Sequence, residues 1–201
     1  QNGDTKCERI GRVIFRHRSI FFGALLLAVL LFCIDDNAIP AYGAGLIVLG
    51  LLMRFVAVLS IGSRSRTQIP KRGEESLLVT SGLYSITRNP LYVANIVLWT
   101  GVVIFAGLST GCIVVLVTVI SAYWLIIRYE ESAWSHVESY NAYCSRVPRW
   151  PSLGGIFNSR EEVCLAISVS SKQWFAALRS ELPSILATVC CVAVIGATNV
   201  S

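Results

Sequence analysis

The chain has 201 residues, of which 54% are hydrophobic and 14% charged, against roughly 25% charged in a soluble domain. That balance excludes a solvated globular domain and fits a membrane protein of about one domain's length. The net charge of +5 does not gather into a surface of the kind that binds nucleic acid. It punctuates apolar runs instead, so a membrane is the expected partner and nucleic acid is not.

Residues 1–18 form a basic head carrying Lys6, Arg9, Arg12, Arg16 and Arg18, and an uncharged run from Ser19 to Ile34 follows. A basic head before a short apolar run also describes a signal peptide, but Asp35-Asp36-Asn37 is a poor cleavage site and further apolar runs follow at once. The chain begins with Gln, and sequence ahead of it is expected. Ala38 to Gly62 is apolar apart from Arg54. Asn89 to Ile127 carries no charge, and Ala106 to Gly111 splits it into two closely turned helices. Each would have roughly 17 residues, near the lower limit for a span. Between this run and the next, Ser159 to Ser180 mixes Trp174, Phe175 and Leu178 with Arg, Lys and Glu. It reads as a helix lying in the interface, or as a cytosolic helix packed on the rest. Leu182 to Asn199 then follows Glu181, with Pro183 suited to a first helical turn.

The chain therefore reads as all-α, a polytopic transmembrane bundle of four to five spans. Residues 19–158 make the membrane domain, and 159–201 an interfacial helix plus a C-terminal span. Lys and Arg cluster before the first run, after the second (Arg64, Arg66, Lys71, Arg72, Arg88) and after the fourth (Arg128, Arg146, Arg149), whereas the opposite side holds Asp35 and Asp36. By the positive-inside rule the N-terminus and both long polar segments are cytosolic, in a bacterial inner membrane or the endoplasmic reticulum. The oligomeric state is not legible. Seven cysteines form no C-x-x-C pair and there are two His, so no metal site is expected and the thiols read as inert.

The chemistry gathers between Gly45 and Pro151. An arginine inside a span (Arg54) is followed by Leu78-Val79-x-x-Gly82-x-Tyr84-x-x-x-Arg88-x-Pro90-x-Tyr92. Then come Arg128-Tyr129-Glu130-Glu131, Tyr140-x-x-Tyr143 and Val147-Pro148-Arg149. These elements, in this order, resemble the isoprenylcysteine carboxyl methyltransferase family and its phospholipid methyltransferase relatives. The resemblance covers about half of the chain. It departs from the family at Asn89, where a His is usual, at Ala94, where a Gly is usual, and in a stretch before Tyr140 shorter by two residues and lacking a Phe-Gly pair.

The resemblance implies methyl transfer from S-adenosylmethionine to a lipid or lipidated acceptor, in a pocket on the cytosolic side. Arg88 would hold the cofactor carboxylate through charge-assisted bonds. Glu130 or Glu131 would accept from ribose hydroxyls or the ammonium, and Tyr84, Tyr92 and Tyr129 would pack on adenine or face the sulfonium. Asn89, Tyr143 and Arg146 complete the cofactor set, and Arg54, Arg128 and Glu131 are the expected catalytic residues. Pro90 pushes Asn89 out of the helical region, so the motif should end where a span begins. An acidic acceptor needs no base, whereas an amine would lose its proton to Glu130, Glu131 or Tyr129. With no His in the motifs, the acidic acceptor is favoured.

Blander roles stand beside these. Juxtamembrane Arg and Tyr serve as positive-inside charges and interfacial anchors, and the Glu pair as a solvated face. Arg54 either snorkels or belongs to the active-site wall, near the Glu pair or an anionic group of the substrate. The same fold would also suit an NADPH-dependent reductase or a non-catalytic scaffold.

Overall fold

A computed structural model of the chain describes residues 5–32, 40–61, 78–152 and 171–198. Within them lie seven α-helices and no strand. They are α1 (Lys6–Arg16), α2 (Arg18–Phe32), α3 (Pro40–Ile61), α4 (Pro90–Ala106), α5 (Thr110–Trp134), α6 (Glu138–Arg146) and α7 (Ser171–Thr198). Three of them, α3, α5 and α7, are long and apolar enough to cross a bilayer. The shorter α4 has 17 residues. The first apolar run folds as α2, and α1 meets it at 80°. The chain is an all-helical, polytopic membrane protein, as its apolar runs imply.

Two expectations change. The sequence suits Pro183 to a first helical turn, but the structure carries it well inside α7. Trp174, Ala177 and Leu178 give the chain upstream of the proline an apolar helical face, which outweighs the proline's missing N–H. From Ser171 onward the interfacial segment and the last apolar run are thus one continuous helix. Its start at Ser159, like residues 33–39 and 62–77, lies outside the described residues.

The chain divides into two compact units, one of Gln1–Leu51, Asn95–Tyr129 and Pro183–Ser201, the other of Leu52–Ala94 and Glu130–Leu182. The first is apolar. Val102, Val103, Val115, Val119, Ile126 and Ile127 are buried in it, and the Phe22 ring stacks on Tyr123 with centroids 4.6 Å apart. Its α3 and α4 approach backbone to backbone: a Cβ on Gly101 would stand 2.7 Å from the Ile47 nitrogen. Small residues permit that approach where no water-driven force holds helices together. The second unit carries the polar motifs. Val137, Tyr140, Tyr143 and Val147 form one of its cores, with Leu78, Trp134 and Cys144 against it. Val58, Leu59 and Ala177 form another, flanked by Phe55 and Leu91.

Candidate functional site

The second unit brings three stretches of the motif together. The first is a tight 3-10 turn over Gly82–Ser85. Gly82 has φ 65°, a left-handed conformation that glycine adopts without strain, and it aims the chain at Tyr84. Helix α4 then starts at Pro90, as the proline's effect on Asn89 requires. The Asn89 carbonyl accepts from the Tyr92 and Val93 amides at 3.1 Å, closing the first helical turn.

The second stretch is the segment after α6. It lies along the first through backbone and side-chain bonds. The Arg88 amide donates to the Pro148 carbonyl at 3.0 Å, and Thr87 Oγ1 donates to the Arg149 carbonyl at 2.7 Å. Asn89 Nδ2 reaches that carbonyl at 3.5 Å, the outer limit of a hydrogen bond. Asn89 is buried and bonds backbone on both sides. Tyr143 donates its hydroxyl to the Tyr84 carbonyl at 2.6 Å, tying α6 to the 3-10 turn.

The third stretch is the end of α5, and Glu131 joins all three. Its carboxylate accepts from Arg149 twice, from Nε at 3.0 Å and from Nη2 in a shorter contact. This is the parallel fork geometry that makes arginine–carboxylate pairs strong. Arg88 Nη1 stands 3.5 Å from the same carboxylate and donates to Cys144 Sγ at 2.7 Å. Two guanidiniums thus surround one carboxylate. Arg88 Nε is buried and finds no hydrogen-bond partner among the described residues. An unpaired buried donor is costly, and one on a guanidinium the more so. Such a donor suits an anionic ligand atom.

The electrostatics agree. Burial works against the Arg88 charge, but Glu131 and Cys144 outweigh it and hold its pKa above the ordinary value. Burial first, then Glu131, pushes the Tyr140 hydroxyl far above its usual range. Burial first, then Tyr84, does the same to Tyr143. Both phenols therefore stay protonated at neutral pH, and neither serves as a base.

The remaining expected residues fall elsewhere. Arg54 Nε donates to Glu181 Oε2 at 2.9 Å, joining α3 to α7 within this unit. Tyr129 belongs to the first unit, where the Arg12 guanidinium lies over its ring at 5.5 Å. Arg128, exposed in that unit, covers Trp124 one turn back on α5. Arg146 is exposed, and its Nε donates to the Ala142 carbonyl of its own helix. Tyr92 is half-buried on the first turn of α4, and Glu130 is half-buried beside Glu131.

Arg149 and Cys144 beside Glu131 and Arg88, and Glu181 beside Arg54 outside that cluster, are the partners the sequence reading leaves out. Arg149 had a signal, as the last residue of Val-Pro-Arg. Glu181 had one too: a lone acid heading an apolar run and a lone base inside another are each costly until paired. Cys144 had none.

The model of one family, phospholipid methyltransferase, matches residues 39–140. That stretch contains Arg54, the Gly82–Tyr92 motif and Arg128 to Glu131. It ends at Tyr140, short of Tyr143, Cys144, Arg149 and Glu181. No curated protein and no solved structure matches the chain.

Proposed function

Because the chain belongs to the phospholipid methyltransferase family, we propose that it transfers a methyl group from S-adenosylmethionine to a lipid-borne acceptor at the cytosolic membrane face. The observation that carries the reading is the cluster of Arg88, Glu131 and Arg149 with its buried, unpartnered Arg88 Nε. The surplus positive charge and the free donor fit the carboxylate of an amino-acid-bearing cofactor.

In this reading Arg88 holds that carboxylate. Glu131 is fixed by Arg149 and keeps the Arg88 guanidinium in place. Tyr84 and Tyr92, on either side of Arg88 in sequence, offer faces to the adenine or the cationic sulfur. Tyr143 and Thr87 fix the loop that carries them. S-adenosylmethionine, when bound, supplies an electrophilic methyl on a sulfonium. The protein's own contribution is positioning and exclusion of water. A carboxylate or phosphate acceptor needs no base from the chain. An amine would lose its proton to Glu130 or Glu131, since Tyr140 and Tyr143 hold theirs. The clustering of Lys and Arg supports a cytosolic site.

The test uses the full chain in lipid nanodiscs with methyl-labelled S-adenosylmethionine and a lipid extract. Label should enter a lipid. Glu131→Gln removes charge-assisted bonds each worth about 1.5–3 kcal/mol, so labelling should fall about 100-fold or more. Full activity in Glu131→Gln would overturn the assignment.

A further inference from the structure

The first unit holds a surface that methyl transfer does not use. Helix α1 is short but firmly set: the Thr5 hydroxyl caps the Glu8 amide, and Glu8 returns a bond to the Thr5 amide at 2.8 Å. One face lies on α5. Gly11 is buried there against the Leu125 carbonyl and the Tyr129 side chain, with no room for a Cβ. Phe15 packs beside Tyr129 at 5.9 Å between centroids.

The other face is exposed and ordered in two stripes. Lys6, Ile10, Val13 and His17 follow at three- and four-residue spacing, and Arg9, Arg12 and Arg16 form the adjacent stripe. The sole acid of the helix, Glu8, is engaged in the cap. Ile10 and Val13 stay more than half exposed, although each is large and apolar. Two large exposed apolar side chains on one face, beside a row of arginines, fit a helix lying in a membrane interface.

The bend supplies the orientation. Helix α2 is apolar and carries no charge after Arg18, and such a helix lies across the hydrocarbon core at a tilt of about 20° from the bilayer normal on average. Helix α1, turned 80° from it, then runs close to the bilayer plane. Ile20, Leu27 and Leu31 continue an exposed apolar surface down α2, which carries the lipid contact on from α1.

From this geometry we infer that the exposed face of α1 docks on the anionic headgroups of the bilayer. Ile10 and Val13 enter the interface, and Arg9 and Arg16 meet lipid phosphates, beside Arg12, whose guanidinium lies over the Tyr129 ring. The occupant is a lipid surface because the charge is complementary to anionic lipid and the neighbouring helix is itself apolar and exposed.

Hydrogen exchange of the full chain in nanodiscs tests it, without reference to activity. Discs of phosphatidylcholine alone are compared with discs containing phosphatidylglycerol. The amides of residues 6–16 should exchange roughly tenfold more slowly in the anionic discs, given about 1 kcal/mol per basic residue near such a surface. High salt should erase the difference, as should Arg9→Gln/Arg16→Gln, neither of which touches the methyl-transfer cluster. Inorganic phosphate added to neutral discs should not reproduce it. Equal exchange in the two lipids overturns the inference, and so does a slowing that survives high salt. The salt series on the unmodified chain decides the matter even if the double variant misfolds.

Discussion

Two ionic groups lie in the same unit of this protein and are built differently. Arg54 and Glu181 join the middle of one long helix to another, and their side chains are 12% and 2% exposed. Arg88, Glu131 and Arg149 come from a helix end and two loops, with exposures of 16%, 14% and 31%. The first pair ties two helices at a deep contact. The second is a cluster: a forked Arg149–Glu131 pair, an additional guanidinium and a donor without a partner among the described residues. Burial of charge serves architecture in one place and, under the proposed function, ligand recognition in the other; the Arg88 Nε, unpartnered among the described residues, is what tells them apart.

The largest expected effect tests the architectural side. Glu181→Ala leaves Arg54 without the carboxylate that accepts from its Nε. Removing one partner of a buried pair typically costs about 3–5 kcal/mol, so unfolding in detergent should shift by that order. A second variant sharpens the point. Arg54→Met/Glu181→Leu replaces both charges by apolar groups of similar size and should recover most of the loss. A cost under about 1 kcal/mol for Glu181→Ala, the value of an exposed pair, would remove the contrast between the two groups. It would also move Arg54 back toward the substrate-binding role that its position in an apolar run suggests.

A smaller effect is expected on the ligand side. Arg88→Lys keeps the positive charge beside Glu131 but loses the Nε donor and the planar fork. Stability should barely move, whereas affinity for S-adenosylmethionine should fall about ten- to a hundredfold, in line with roughly 1.5–3 kcal/mol for a bond to a charged group. Calorimetric titration of the purified chain reads this directly. An unchanged Kd would show that the buried Nε does not meet the cofactor carboxylate.

How far these groups were legible in the sequence depends on the distance over which each partner had to be found. Helix α4 is readable from Pro90 and the charge-free run after it, and the turn at Gly82 from the glycine itself. Those signals are local. Arg54 stands out because a charge in an apolar run is costly, but its partner lies 127 residues away, beyond any periodicity. Glu131 was legible through the family resemblance. Its forked partner Arg149 was read only as the last residue of Val147-Pro148-Arg149 and as a positive-inside charge, because nothing local says that it pairs with Glu131 or that its carbonyl meets Thr87. Cys144 was read as an inert thiol, and only the fold brings its sulfur to Arg88. The helical course through Pro183 was missed for a related reason. Local propensity marks a proline as a boundary, while the burial of Ala177 and Glu181 upstream of it is tertiary.

The smallest effect concerns the strut between α6 and the 3-10 turn, the stretches that lead to Arg149 and Arg88. Tyr143→Phe removes the hydroxyl that donates to the Tyr84 carbonyl at 2.6 Å and should cost about 1 kcal/mol at neutral pH. Its pH dependence has a definite sign. Burial makes the Tyr143 proton harder to remove in the folded chain than in the unfolded one. The stability linked to it is therefore complete below about pH 10, the ordinary phenol value, and is lost as pH rises through the higher folded pKa. Unfolding of the unmodified chain should become easier above about pH 10, and Tyr143→Phe should show a shallower alkaline loss. Tyr140 is raised in the same direction and retains its share, so the slope should diminish without vanishing. If the variant loses stability with pH as steeply as the unmodified chain, Tyr143 does not hold its proton in this way. The segment around Arg149 would then rest chiefly on the Arg88 amide, Thr87 Oγ1 and the forked pair with Glu131, and α6 would be tied to the 3-10 turn more loosely than the Tyr143 bond implies.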